Sequence, residues 1–190
     1  MSTDKEKKYS EDELYSLFLL GDTRSYDALM LQCKDSLIFY LYGYLHDWQD
    51  AEDLMIEAFA RIMVKRPLIE EGGFKAYLYK TARNLTARLY SRKVRFGTFS
   101  IDGFEEILAD PALSEETVWK DEKRRILMRC LERLDPQFRE AIWLVYMEDM
   151  NYAEAAKTMR VSKKKVDNLL FRGKQQLRKE LEEEGITTSY

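Results

Sequence analysis

Little in this 190-residue sequence would support a fold built from strands and tight turns. Glycine occurs 8 times and proline 3 times, too few for a sandwich or a loop-rich domain. Cysteine occurs twice, at Cys33 and Cys130. The two are far apart and fit no disulfide framework or metal-ligand spacing, which points to a reducing compartment. The single histidine, His46, has no Cys, His or paired carboxylates beside it, so a helix-end position suits it better than ligation. There is no phosphate-binding glycine loop, nucleophile triad or metal cluster, and the Asp and Glu pairs fall on helix faces. No metal, cofactor, catalytic residue or enzymatic activity is therefore expected. The start, residues 1–10, is polar and charged, unlike a signal peptide or anchor, and no apolar run approaches a membrane span. A cytoplasmic location without membrane insertion is expected.

What is present is helix-forming and charged. Hydrophobic residues make up 45 %, with 12 Tyr and 9 Phe, and charged residues 34 %. The net charge of −3 does not by itself suggest a nucleic-acid partner, but its distribution does. Residues 60–96 hold 10 Lys and Arg against 2 acids, residues 97–122 hold 8 acids against 1 Lys, and residues 157–179 hold 9 Lys and Arg against 1 Asp. Two basic blocks flank an acidic one, so a near-neutral total conceals strong local fields.

Helical signals recur along the chain. Ser10 followed by Glu11, Asp12 and Glu13 reads as a capped helix start. A second helix is expected over about 25–45. A third opens at Asp47 or Gln49, and there Ala51, Leu54, Met55, Ala58, Phe59 and Ile62 fall on one face, with Asp50, Asp53 and Glu57 on another. Pro67 and Gly72-Gly73 mark a loop. A fourth helix, about 74–94, turns Phe74, Leu78, Ala82, Leu85 and Leu89 inward. Residues 97–113 have no sustained period and read as linker, and helices resume near Ser114. Asp135-Pro136 pairs a cap with proline at the first helical position.

The most specific local motif lies near the C-terminus. Asn151 and Glu154 fit a capping box opening a short, Ala-rich helix over 152–159. Arg160-Val161 forms a turn, and Ser162 caps a second helix with Val166, Leu170, Gly173 and Leu177 as its inward stripe. Lys164, Asp167, Asn168, Phe171, Arg172 and Gln175 then fall outward. This is a helix-turn-helix whose second helix suits a major groove, where such groups meet phosphates and base edges.

At this point the chain resembles a family. Residues 134–140 (LDPQFRE), 146–154 (YMEDMNYAE), Val161-Ser162 and Val166 are similar to the C-terminal region of small bacterial sigma factors of the extracytoplasmic-function (ECF) group, within the sigma-70 family. Residues 50–59 (DAEDLMIEAF) resemble that family's polymerase-binding helix, and residues 74–85 (FKAYLYKTARNL) its −10 promoter helix. Both motifs occur in order at suitable separation, and the resemblance runs from about Asp12 to Leu181.

The resemblance implies an all-α chain of two small helical domains joined by a flexible acidic linker. Residues 10–96 would bind polymerase and the −10 element (region 2), 97–118 would be the linker, and 119–182 would carry the helix-turn-helix for the −35 element (region 4). It implies docking on the clamp helices of the polymerase largest subunit through Asp50, Asp53, Leu54, Glu57 and Phe59, with Met55 or Phe59 serving either as an apolar anchor or as core. The −10 element would be melted and held by Tyr77, Lys80, Arg83, Asn84, Arg88 and Arg92, since cations track phosphates and rings stack on bases. Ser162, Lys163, Lys164, Lys165, Asp167, Asn168, Phe171, Arg172 and Gln175 would read duplex −35 DNA. The flap of the second-largest subunit and an anti-sigma factor are further implied partners. A 22-residue linker reaches roughly 70–75 Å, about two turns of duplex at roughly 34–36 Å each. The alternatives are a stand-alone helix-turn-helix repressor or activator, and a pure interaction protein. Several positions depart from the family pattern: Tyr77 stands for the usual Trp, Glu70-Glu71 add charge to the loop, Arg160 replaces a turn Gly, and Asp167 and Leu169 replace basic residues.

Overall fold

The computed structural model describes residues 9–95 and 122–186, and its regular elements are all helical. Four helices come first: α1 (Glu11–Leu19), α2 (Thr23–Leu45), α3 (Trp48–Lys65) and α4 (Phe74–Arg95). The second group is α5 (Glu122–Glu132), α6 (Pro136–Ile142), a π-helical turn (Trp143–Met147), α7 (Tyr152–Met159) and α8 (Lys163–Glu183). The linker expected at 97–118, and the resumption of helix near Ser114, lie outside the described residues.

The helices begin where short polar side chains can satisfy orphan backbone amides. Ser10 and Glu13 form a reciprocal capping box, and Asp22, Asp47, Asp135, Asn151 and Ser162 each cap a following helix. Such a cap contributes about 1 kcal/mol. His46 ends α2 in the left-handed region at φ 50°, as expected of a helix-end residue. Helix α4 has an unusual start. Its first amide, Phe74 N, donates to Asp12 Oδ1 of α1 at 3.2 Å, so a residue sixty-two positions upstream fixes where the basic helix begins.

The N-terminal group packs around aromatic rings. Tyr15 lies against Phe74 at 4.9 Å between centroids, Phe18 against Tyr26 at 4.4 Å, and Tyr26 edge-on to Phe59 at 5.8 Å. The phenols find backbone acceptors: Tyr15 Oη donates to Pro67 O at 2.8 Å and Tyr26 Oη to Phe59 O, which lets these rings sit in a core. All six residues expected on the buried face of α3 are buried.

In the C-terminal group, α6 crosses α8 closely. A Cβ at Gly173 would lie 3.0 Å from Ile142 Cδ1 and 3.1 Å from Phe138 Cβ, so glycine is what permits the approach. Arg129 on α5 and Arg133 just after it pair with Glu184, the residue that caps the end of α8, at 3.4 and 2.9 Å, holding α5 at the far end of α8. The two groups share one continuous apolar cluster, with α7 lying against α4 and α6 against α2.

Candidate nucleic-acid interface

Helix α8 and its turn are built as the sequence suggests. Asn151 Oδ1 accepts from Ala153 N and Glu154 N at 2.9 and 3.1 Å, and Glu154 Oε2 accepts from Asn151 N at 2.8 Å. Arg160 ends α7 at φ 58°, the left-handed conformation that glycine usually supplies at such a turn. Ser162 Oγ then accepts from Lys165 N at 3.2 Å. Val166, Leu170 and Gly173 are buried, while Ser162, Lys163, Lys164, Lys165, Asp167, Asn168, Phe171, Arg172 and Gln175 are all exposed. Phe171 is 66 % exposed. Lys165, Asn168 and Arg172 border a groove of about 480 Å³ between α8 and the start of α6. Leu169, one of the departures from the resembled family's pattern, is buried in the core, so this position faces inward. Sequence reading missed Tyr146, whose exposed ring carries Lys174 Nζ 4.8 Å from its centroid. The hydrogen bond to Tyr146 raises the Lys174 pKa, and the contact ties that ring to the basic helix.

Helix α4 divides its six candidates. Lys80, Arg88 and Arg92 are exposed, and at spacings of eight and four they follow one side of the helix. Tyr77 is half-buried against the core. Arg83 and Asn84 are half-buried and engaged: Arg83 Nε donates to Glu140 Oε1 at 2.8 Å, and Asn84 Oδ1 accepts from Arg160 Nη2 at 2.6 Å. Burial opposes the charge on Arg83, but the adjacent Glu140 carboxylate together with Tyr40 and Tyr44 outweighs it and raises the pKa. Tyr79 is buried and Tyr90 donates to Tyr44 O, so these rings serve the core.

Helix α3 corrects part of the docking assignment. Asp53 and Glu57 are exposed and Asp50 is half-buried. Asp53 accepts from Gln49 Nε2 at 3.2 Å, and Glu57 pairs with Arg61 at 2.5 Å. Leu54, assigned to docking, points into the core instead, and of the two roles open to Phe59, anchor or core, its 1 % exposure fits core. Both lie on the same helical stripe as Ala51, Met55, Ala58 and Ile62, and burial claims that whole stripe. The apolar groups the outer face does offer are Ile56, Met63 and Val64, set among Glu52, Asp53 and Glu57. Their signal in the sequence was apolar residues out of phase with the buried stripe.

Among the described residues, no helix is long and apolar enough to cross a membrane, and no group of three or more potential ligands could hold a metal ion.

Two family models match the chain, in order: Sigma-70 region 2 at residues 29–96 and Sigma-70, region 4 at residues 124–177. The chain is similar to the ECF RNA polymerase sigma factor SigW of Bacillus subtilis, at 26 % identity over 85 % of this chain and 91 % of that protein. It is also similar to the ECF RNA polymerase sigma factor SigE of Mycolicibacterium smegmatis, at 28 % identity over 81 % of this chain and 60 % of that longer protein. Its fold matches RpoE in complex with the anti-sigma factor NepR from Bartonella quintana, with a TM-score of 0.66, 18 % identity, and 84 % and 98 % of the two chains covered. A second match is CnrH in complex with the cytosolic domain of CnrY, with a TM-score of 0.57, 20 % identity, and 90 % and 97 % covered.

Proposed function

The chain belongs to the sigma-70 family, in its ECF group, and on that footing we propose that it directs core RNA polymerase to specific promoters and helps open their −10 region. The observation that carries this reading is the ordered pair of region 2 and region 4 matches, the first covering the basic helix α4 and the second the start and most of α8. We assign residues 10–96 to polymerase and −10 binding and 119–182 to −35 binding, with 97–118 connecting them. The protein acts in the cytoplasm and needs no cofactor or catalytic activity of its own, because the chemistry of RNA synthesis belongs to the polymerase.

The roles follow from chemistry. On α3, Asp53 and Glu57 offer carboxylates to partner arginines, while Ile56 and Met63 supply apolar contact. On α4, Lys80, Arg88 and Arg92 track phosphates of the melted strand, Tyr77 offers a stacking ring, and Asn84 a polar wall for an extruded base. On α8, Arg172, Gln175 and Asn168 reach base edges in the major groove, Lys163, Lys164 and Lys165 hold phosphates, and Phe171 is placed to meet a thymine methyl. Asp167 would repel phosphate but can accept a hydrogen bond from cytosine N4. An anti-sigma partner, which RpoE of Bartonella quintana has in its solved complex, is proposed here as well.

Reconstitution on a promoter library tests this function. Core polymerase with this protein should form open complexes on a defined subset of sequences, and Asp53→Ala together with Ile56→Ala should weaken co-purification with core. Tight duplex binding without polymerase, with no open complexes on addition of core, would overturn the proposal in favour of a stand-alone regulator.

A further inference from the structure

Two carboxylates of the C-terminal group are buried in a way that group cannot account for alone. Glu140 is 4 % exposed and Glu148 is 6 % exposed. Glu140 Oε1 accepts from Arg83 Nε at 2.8 Å and from Tyr40 Oη at 3.0 Å. Glu148 accepts from Ser36 Oγ and lies 3.6 Å from Lys75 Nζ. All four partners belong to the N-terminal group, on α2 and α4. A buried carboxylate is costly unless it is paired and hydrogen-bonded, so both side chains are suited to a molecule whose halves are closed on each other.

Two further contacts agree. Gly43 is the one glycine in α2, where glycine is unfavourable for a helix. A Cβ there would lie 3.2 Å from Arg139 Nε, with Arg139 Cζ and Cδ next at 3.6 and 3.7 Å. The Arg139 guanidinium in turn donates to Gly43 O. Arg160, at the turn of the helix-turn-helix, donates to Asn84. The missing side chain on one half thus matches a buried cation on the other.

We propose that these contacts form an internal latch, in which the C-terminal module closes over part of the −10 face of α4 and Glu140 occupies Arg83 where a DNA phosphate would otherwise bind. This rests on the promoter-recognition reading above. Closed, the protein withholds Arg83 and Asn84 from DNA while Lys80, Arg88 and Arg92 stay open. Engagement of the melted strand then requires the modules to part, and the apparent affinity falls by the fraction of molecules that are open.

Small-angle scattering on the full chain tests closure directly, without polymerase or promoter. A closed wild type should have a radius of gyration near the ~16 Å of a compact chain of this length, and a markedly larger value would overturn the latch. Two variants test blocking: Glu140→Gln with Glu148→Gln, and Gly43→Leu, which wedges the interface without altering charge. Circular dichroism checks that helix content is kept. Each folded variant should expand and bind a labelled mixed-sequence single-stranded 20-mer about tenfold tighter, the factor for a closed form favoured about ten to one. If folded Gly43→Leu matches wild type in both size and affinity, the latch is wrong. Should the variants not fold, the wild-type scattering decides alone. Failure of core polymerase to associate with any form would instead remove the sigma-factor reading and leave the closure standing.

Discussion

Helices α4 and α8 carry similar basic stretches in the sequence, yet the fold treats them differently. Every candidate DNA-contacting side chain on α8 reaches open surface, whereas α4 surrenders Tyr77 partly to its core and Arg83 and Asn84 to the other half of the molecule. The difference follows from what each helix packs against. Helix α8 lies at the edge of its group, against α5, α6 and α7, and one stripe suffices to hold it. Helix α4 is contacted by α1, α2 and α3 on its own side and by α7 from the other half, so only a narrow face remains. A run of basic residues therefore predicts a field, and packing decides which of its charges are free to use it.

The sharpest test of this contrast lies within α8. Leu169→Ala should cost about 2–5 kcal/mol of unfolding free energy, as for a buried leucine. Phe171→Ala, two residues on, should stay within about 0.5 kcal/mol. Urea unfolding measures both, and equal losses would mean that the inward and outward faces are misassigned. The next effect is on recognition. Arg172→Ala should leave stability nearly unchanged but weaken duplex binding, relaxing preference at one base pair by about 1–3 kcal/mol. Competition binding against a library of single-base variants would show it, and unaltered selectivity would place Arg172 on phosphate instead of a base.

The smallest effect concerns the junction. Burial, with Arg139 adding to it, lowers the His46 pKa below its ordinary 6.5. The unfolded chain then binds the proton more readily than the folded one, so the stability His46 contributes is present above pH 6.5 and is lost as the pH falls through the native value. His46→Asn, which tolerates the left-handed backbone at this site, should flatten the decline in urea midpoint between pH 7.5 and pH 5.5. An unchanged slope would exclude His46 as its source.

Much of this architecture was legible because its determinants are local. Ser10, Asp47, Asp135, Asn151 and Ser162 announce helix starts through bonds spanning two or three residues, and Arg160 announces its turn by interrupting the pattern. The stripe of α3 was legible for the same reason, although its membership also removed Leu54 from the docking surface and settled Phe59 as core. Leu169 was harder. It borders the stripe of Val166, Leu170 and Gly173, and whether a bordering position is covered depends on how widely neighbouring helices spread over it. The π-helical turn, the Asp12 cap on α4 and the pairing of Glu140 with Arg83 could not be read at all. Each depends on residues brought together from afar, and no spacing along the chain records them.

Arg160 carries one more consequence. A left-handed backbone at a residue other than glycine costs roughly 1–2 kcal/mol, and here that residue also reaches Asn84 across the molecule. Glycine at this position would relax the turn and sever the tie in a single step, while lysine would keep the charge and give up the planar fork. Two traits that could vary separately, the rigidity of the DNA-reading motif and the bond between the halves, are placed under one codon. Divergence at that codon would shift both together, so relatives that differ there should differ in how firmly they close as well as in how well they read.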